Sequence, residues 1–416
     1  MNIHDTILSM ATKARAASAG LAKKTTDEKN AALLAIADSL EKNRASIVAA
    51  NGIDLAHAKE AGISPAMIDR LTLTPARFDA MVAGVRHVAT LPDPVGETIW
   101  TRERPSGINI RKVRVPLGVI GVIYESRPNV TADTAALCLK SGNAVILRGG
   151  SEAVNSNRII AKVLTEAALS VGLPDGCIQL LDLNGREFTT ALMELEELDV
   201  IIPRGGLGLK AAVREHCKVP YIMTGDGVCH IYFAPSADPE MCVPIAVNAK
   251  CQKPSACNAV ETLLFHEKCA PKLIPAVCTA LEAHGVELRG DKKACELFDM
   301  TPATEEDWGT EYLDLVVSIK VVSSLNEALA HIAKYGTHHS ESIITRDYAE
   351  AERFLDSVDA AAVYVNASTR FTDGGVFGLG AEVGISTQKL HARGPMGIEQ
   401  LTSTKFRVRG SGQVRR

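Results

Sequence analysis

Much that would mark a simple functional class is missing from this chain of 416 residues. Aromatic residues are only 4% of it, and no apolar run approaches the roughly 18 residues of a membrane-spanning helix. The chain therefore reads as soluble, with no membrane partner. Positive charge is not in excess either: 45 Lys plus Arg face 49 Asp plus Glu. A formal net charge of -4 lacks the electrostatic footprint of a protein that tracks phosphate backbones, so nucleic acid is not expected as a partner. A local basic patch for a small anion stays open. The cysteines, at 138, 177, 217, 229, 242, 251, 257, 269, 278 and 295, contain no C-x-x-C, which excludes zinc-ribbon and thioredoxin-like readings; no metal site is expected. The segment 1–22 mixes Asp5, Lys13 and Arg15 into a helical pattern instead of a charged stretch followed by an apolar one. Secretion and a disulfide framework are not expected from it, and a reducing cytoplasm is. The nucleotide signatures G-x-x-x-x-G-K-[ST] and G-x-G-x-x-G are absent, since Gly378, Gly380 and Gly384 miss the second spacing.

What is present is a long chain with an orderly alternation of patterns. Its length suits two or three domains of about 100 to 200 residues, each able to bury a core without staples. Thr25 and Glu28 have capping-box spacing ahead of Ala31, Leu33, Leu34, Ile36, Leu40 and Ile47, which recur near a 3.6 period. Ser64 before Pro65, and Thr74 before Pro75, announce two more helices. Past Ile108, strand candidates Val115–Tyr124, Ala144–Leu147, Ile178–Leu183, Val200–Ile202 and Ile222–Thr224 alternate with helical stretches. That alternation predicts right-handed βαβ units, a mostly parallel sheet, and ligand loops at the carboxyl ends of the strands. A second α/β stretch follows from Cys229 to Val363, then a glycine-rich loop and a C-terminal strand near Thr402, Phe406 and Val408. A terminal strand with no hairpin partner nearby is expected to pair outside its own domain, which predicts an oligomer.

Two turns and one loop attract attention. Arg148-Gly149-Gly150 and Arg204-Gly205-Gly206 each follow a strand with a cation beside residues that allow tight turns, an arrangement suited to a ribose or a phosphate. The bland alternative for both is a surface turn. Gly118 and Gly121 read as close backbone packing in a buried strand. Asn248-Ala249-Lys250-Cys251-Gln252-Lys253-Pro254-Ser255-Ala256-Cys257-Asn258-Ala259 reads as a loop that sets two thiols beside two lysines, whose charge would favour a thiolate. An ordinary cysteine is a buried, inert hydrophobe; position and charge set these apart.

That loop resembles the nucleophile motif of the γ-glutamyl phosphate reductases, also called glutamate-5-semialdehyde dehydrogenases, a branch of the aldehyde dehydrogenase superfamily. Val115-Pro116-Leu117-Gly118-Val119-Ile120-Gly121, Tyr124-Glu125-Ser126-Arg127-Pro128-Asn129, Leu147-Arg148-Gly149-Gly150-Ser151-Glu152, Thr224-Gly225-Asp226-Gly227, Glu311-Tyr312-Leu313-Asp314, Thr337-His338-His339-Ser340-Glu341 and Phe377 to Gly397 follow the same family in order. The resemblance covers almost the whole chain. It implies an aldehyde dehydrogenase-like α/β fold: a parallel-sheet NADP-binding domain over 1–228 with N-terminal helices, and an α/β catalytic domain over 229–363. Residues 364–416 then return to the cofactor domain and end in an oligomerisation strand, partnered by the segment 99–115. It implies Cys257 as the nucleophile, and Asn129, in the loop after the first strand of the cofactor domain, as the oxyanion-binding amide. Arg148, Gly149, Ser151, Glu152, Arg204, Gly205 and Glu311 fall where the superfamily holds its nicotinamide cofactor, and an arginine at 148 fits NADPH. Cys251 stands where the family more often has threonine.

The resemblance also implies the reaction: NADPH-dependent reduction of L-glutamyl 5-phosphate to L-glutamate 5-semialdehyde and phosphate, the second step of proline biosynthesis. Aldehyde dehydrogenases that hydrolyse their thioester carry a glutamate base in a Glu-Leu-Gly-Gly type motif, and Thr224-Gly225-Asp226-Gly227 holds the corresponding place without it. Arg127, Lys253 and Arg370 are the candidate cations for the anionic substrate, each with a plain surface-charge alternative. His338 and His339 read as loop-stabilising. A homodimer or higher homo-oligomer is expected, and the resemblance raises association with glutamate 5-kinase. A hydrolytic NAD(P)-dependent aldehyde dehydrogenase and a non-catalytic nucleotide-binding protein of this fold are the competing readings.

Overall fold

The computed structural model describes residues 3–183 and 185–415. Helices α1 (Ile3–Leu21), α2 (Thr26–Lys42), α3 (Arg44–Glu60), α4 (Pro65–Leu71) and α5 (Pro75–Thr90) come first. The capping box that opens α2 forms in full: Thr25 Oγ1 accepts the Glu28 N–H at 3.3 Å and Glu28 Oε2 accepts the Thr25 N–H at 2.8 Å. Ser64 and Thr74 cap α4 and α5, each with proline at the first helical position, where a missing N–H costs nothing.

Strands β1 (Thr98–Glu103) and β2 (Asn109–Pro116) follow, then β3 (Val119–Tyr124), α6 (Asn129–Lys140), β4 (Ala144–Gly149), α7 (Val154–Ser170), β5 (Ile178–Leu180), α8 (Arg186–Met193), β6 (Val200–Arg204) and α9 (Leu207–His216). The expected strand Val115–Tyr124 is two elements. Gly118 breaks it at φ +129, where a Cβ would overlap the Asp199 carboxylate that accepts the Val119 N–H at 2.6 Å. Gly121 lies inside β3, and a Cβ there would come within 2.6 Å of Ile201 Cδ1, so this glycine does serve close packing. Strands β5, β4, β3 and β6 form a parallel sheet in that order, and β3 is buried along its whole length, as a central parallel strand covered on both faces should be. No strand forms over Ile222–Thr224. Single bridges at Tyr221 and Thr224 replace it, because the chain leaves one compact unit for the other between Met223 and Thr224.

The second stretch contains β7 (Cys229–Phe233), α10 (Pro239–Cys251), β8 (Val260–His266), α11 (Ala270–Glu282), β9 (Glu287–Gly290), α12 (Lys292–Cys295), β10 (Thr301–Pro302), β11 (Val316–Val322), α13 (Leu325–Tyr335), β12 (Ser340–Ile344), α14 (Tyr348–Ser357) and β13 (Ala362–Val365). Its sheet is parallel, in the order β10-β9-β11-β8-β7-β12-β13. Ile231, Phe233, Leu263 and Phe265 pack on one face with α10 and α11, while Tyr232, Leu264 and Ile343 pack on the other with α13 and α14. The expected loop from Asn248 begins too early. Nothing in Asn248-Ala249-Lys250-Cys251 stops a helix, so α10 runs on to Cys251 and ends ahead of Pro254.

The tail has a short pair, β14 (Ile385–Ser386) with β15 (Gly394–Pro395), and ends in β16 (Thr402–Arg409). One compact unit comprises 1–223, 379–384 and 396–416; the other comprises 224–378 and 385–395. β16 finds its partner within its own chain. It pairs antiparallel with β2 along its whole length, Thr402 opposite Pro116 and Arg409 opposite Asn109, in a sheet ordered β1-β2-β16.

Candidate active site

In the first unit the loops of interest leave the carboxyl ends of β3, β4 and β6, as expected for a parallel sheet. After β3 the chain turns through Glu125, Ser126, Arg127 and Pro128, with Ser126 at φ 52. The Ser126 N–H and Oγ–H both donate to Glu152 Oε1, at 2.7 and 2.8 Å, which ties the β3 turn to the β4 turn. The Gly206 N–H, at the start of α9, donates to Glu125 Oε2 at 2.9 Å. Asn129 is not in the loop but is the first residue of α6, and its Nδ2 donates to Asp133 Oδ2 at 2.8 Å. Burial pushes the Asp133 carboxyl up to about 6, against the pull of Asn129 and the positive charge of Arg204.

Arg148 is buried at the end of β4. Its guanidinium donates to Thr189 Oγ1, Gly149 O and Gly185 O, holding the entry to α8, and burial lowers its pKa. At Gly149 a Cβ would come within 2.1 Å of Asn157 Nδ2, and at Gly150 within 2.3 Å of Glu152 Oε1, so either side chain would have to move to admit one. At Gly205 a Cβ would meet the Glu125 carboxyl carbon at 2.5 Å. A cavity of about 590 Å³ opens beside these turns, lined by Glu125, Ser126, Ser151 and Glu152 from the sheet side and by Asp54, His57 and Met67 from the helical side.

In the second unit the chemistry gathers at the opposite, amino ends of the strands. Gly227 precedes β7, Cys257 precedes β8 and Thr337–His339 precede β12, three strands that lie side by side. The α-carbon of Gly227 rests on the Cys257 backbone, where a Cβ would fall 1.4 Å from the Cys257 carbonyl oxygen. Only glycine fits. Its N–H donates to Glu311 Oε1 at 2.8 Å, and the Cys229 thiol donates to the same Cys257 carbonyl at 3.3 Å. The half-buried Arg370 closes the loop, with Nε donating to Gln252 Oε1 at 2.8 Å and the guanidinium also donating to Asn258 Oδ1. Asn258 Nδ2 donates to Thr372 O at 2.8 Å, and Thr369 Oγ1 to Asn258 O at 2.7 Å. Burial lowers the Arg370 pKa, and the neighbouring Cys257 works in the other direction.

The two lysines of the motif have unlike fates. Lys250 is buried and spent on Glu261, with Nζ at 2.5 Å from Oε2, so it adds no free charge to the loop. Lys253 is exposed. Arg127 is half-buried in the turn before α6. His338 sits at φ 62 with Nδ1 at 2.6 Å from the Asp359 carbonyl, and the buried His339 has Nδ1 at 2.8 Å from Ser340 Oγ, both structural roles in the loop before β12. Glu341, from the same motif, accepts the His230 N–H at 2.8 Å in the core. Among the described residues no group of three or more His, Cys, Asp or Glu could hold a metal ion.

Reading along the chain missed Glu125, Asp133, Gly227 and Asn258 as parts of these sites. Glu125, Gly227 and Asn258 lie within quoted motifs, so their neighbourhood was visible. Asp133 carries a weaker signal, a carboxylate one helical turn after the amide of Asn129.

Residues 4–307 match the aldehyde dehydrogenase family. The chain is 56% identical to the gamma-glutamyl phosphate reductase of Carboxydothermus hydrogenoformans, over 99% of this chain and 100% of that one. It is 53% identical to that of Syntrophomonas wolfei, over 100% and 99%. The crystal structure of gamma-glutamyl phosphate reductase from Thermotoga maritima superposes with a TM-score of 0.96 at 49% identity, covering 99% of this chain and 100% of that one. With that agreement over its whole length, the chain belongs to the aldehyde dehydrogenase family and, within it, to the gamma-glutamyl phosphate reductases.

Proposed function

We propose that this chain reduces L-glutamyl 5-phosphate to L-glutamate 5-semialdehyde and phosphate with NADPH, the second step of proline biosynthesis, through a thioester on Cys257. The observation that carries the reading is the nucleophile loop: Gly227 seated on the Cys257 backbone and Arg370 bonded to Gln252 and Asn258 on either side of it. Full-length likeness to the gamma-glutamyl phosphate reductases supplies the substrate.

The Cys257 thiolate attacks the acyl carbon, an oxyanion forms, and phosphate departs to leave the thioester. Asn129 and the Cys257 N–H are the proposed oxyanion donors, a role whose loss typically costs about 10²- to 10³-fold in rate. Phosphate is a good leaving group and needs no strong acid beside it. NADPH supplies the hydride that takes the thioester to the aldehyde oxidation level. Release of the aldehyde returns the thiolate to Cys257.

The first unit suits a dinucleotide: Gly149 and Gly205 are bare backbone at the ends of β4 and β6, and the cavity beside them presents Ser151 and Glu152. Gly149, Ser151, Glu152, Arg204 and Gly205 are proposed to hold the cofactor, with Glu311 on its nicotinamide ribose. Arg148 favours the phosphorylated ribose of NADPH, since its contacts to Gly149, Gly185 and Thr189 leave guanidinium donors over. Arg127 and Lys253 are proposed for the substrate's anionic groups, and Arg370 for them through the loop it clamps. Ten free thiols suit a reducing cytoplasm. A homodimer or larger homo-oligomer is proposed through the β1-β2-β16 sheet, where Phe406 and Val408 are 60% and 56% exposed. Glutamate 5-kinase, which would deliver the acyl phosphate, is the heterologous partner to test by co-purification.

The deciding assay runs the reaction backwards. Glutamate 5-semialdehyde should reduce NADP⁺ only when phosphate is added, and Cys257→Ala should abolish the signal. Phosphate-independent turnover would instead indicate a hydrolytic aldehyde dehydrogenase, and equal activity in Cys257→Ala would remove the thioester.

A further inference from the structure

We propose that Asp133 is a positioning residue for the reaction: its carboxylate fixes which end of the Asn129 amide faces the reacting oxygen. The inference rests on the reading of Asn129 as an oxyanion donor and adds the group that makes it one. Asn129 opens α6 and Asp133 lies one turn later on the same face, with Nδ2 donating to Oδ2 at 2.8 Å. A primary amide can present either its oxygen or its nitrogen in a given direction, and the two arrangements have nearly the same shape. An ionised carboxylate only accepts, so it compels the nitrogen to face it. The amide is planar, so that bond also fixes the direction of the second N–H, the one left for an oxyanion. Without an acceptor at 133 the group could turn over and present its oxygen to developing negative charge, which would oppose the reaction.

The surroundings are compatible with an ionised carboxylate at this position. Asp133 interacts electrostatically with Arg204, whose positive charge helps keep it ionised against the cost of burial. Its other oxygen, Oδ1, would lie 3.7 Å from a Cβ placed on Gly84 of α5, ordinary contact that leaves room for a side chain of this size. One carboxylate thus accepts from the amide at the head of α6 and feels the charge of the cation at the end of β6.

The test is a double-mutant cycle in the phosphate-dependent reverse reaction, with thermal melting of every variant. Asn129→Ala should lower kcat by about 10²- to 10³-fold. Asp133→Asn, whose amide can donate as well as accept, should lower kcat by about 10-fold and leave both KM values within about twofold, the signature of a misaimed group. Asp133→Glu keeps an acceptor-only partner and should hold kcat within about threefold of wild type. In the Asn129→Ala background Asp133→Asn should cost nothing further. Wild-type kcat in Asp133→Asn, or the same loss with and without Asn129, would overturn the proposal. So would equal losses in Asp133→Glu and Asp133→Asn, and that comparison still decides if one variant melts early. If Asn129→Ala itself keeps full kcat, the reading of Asn129 fails instead, and the two failures are told apart.

Discussion

Arg370 shows how one side chain can hold a loop and charge it at the same time. Its guanidinium donates to Gln252 and Asn258, and its positive charge interacts with Cys257. A fixed cation near a thiol favours the thiolate, so removing it should raise the pKa at which Cys257 becomes reactive. We expect Arg370→Ala to move the midpoint of the pH profile for Cys257 alkylation upward by about one unit, a roughly tenfold loss of thiolate below that midpoint. Alkylation by iodoacetamide from pH 5 to 10, with Cys257→Ala as the blank, measures it; an unmoved midpoint would confine Arg370 to holding the loop. The sequence offered Arg370 only as a neighbour of a motif, because the residues it grips lie more than a hundred positions away. Cys257 stands out in the sequence for the opposite reason: the motif that proposes it as nucleophile is local. The charge expected of Lys250 was misread, since nothing in the loop announces that Glu261, on β8, takes it.

Among the elements, local signals were read correctly and distant ones were not. Capping boxes and proline starts are written within four residues, so α2, α4 and α5 were visible. The start of α7 is capped from elsewhere. Asp54, on α3, accepts the Asn155 and Ser156 N–H groups at 3.1 and 2.8 Å, a pairing no local pattern could reveal. The link between α10 and β8 is of the same kind and has a measurable pH signature. Burial pushes the Glu261 carboxyl up to about 7 even beside Lys250. A carboxyl raised above its unfolded value near 4.5 binds more protons when folded, so its contribution to stability falls as pH rises from about 4.5 towards 7. Lys250→Met leaves that carboxylate buried and unpaired, which should cost about 3–5 kcal/mol at pH 8. The loss should shrink at pH 5, where Glu261 is protonated. Urea unfolding at the two pH values checks this, and a pH-independent loss would mean that Glu261 is solvated or otherwise paired.

For the whole molecule, the alternation of strand and helix was enough to foresee parallel sheets, but not where each unit keeps its chemistry. The loops proposed to hold the cofactor leave the carboxyl ends of β3, β4 and β6, whereas Cys257, the proposed nucleophile, lies at the amino end of β8. The C-terminal strand was expected to seek a partner outside its domain and instead completes a sheet with β2. That sheet still presents apolar side chains to solvent, Phe406 packing beside Trp100 with ring centroids 5.8 Å apart. An exposed edge strand that carries apolar side chains is a ready surface for pairing with another copy. Phe406→Glu with Val408→Glu should shift sedimentation of the intact chain to a lower mass without lowering its helix content. An unchanged mass would remove this sheet as the proposed subunit contact.

The seat of Gly227 against the Cys257 carbonyl also bears on how this chain could evolve or be redesigned. Any redesign of Thr224-Gly225-Asp226-Gly227 has to keep one fixed point, the last of the four residues. At position 227 the main chain itself excludes any other residue: the first carbon of a side chain would fall on the peptide group of Cys257. A side chain at 227 would need the cysteine loop and the glycine segment to be rebuilt together. The glycine at 227 is thus held by backbone packing, and no single codon change at that site fits the loop as it stands.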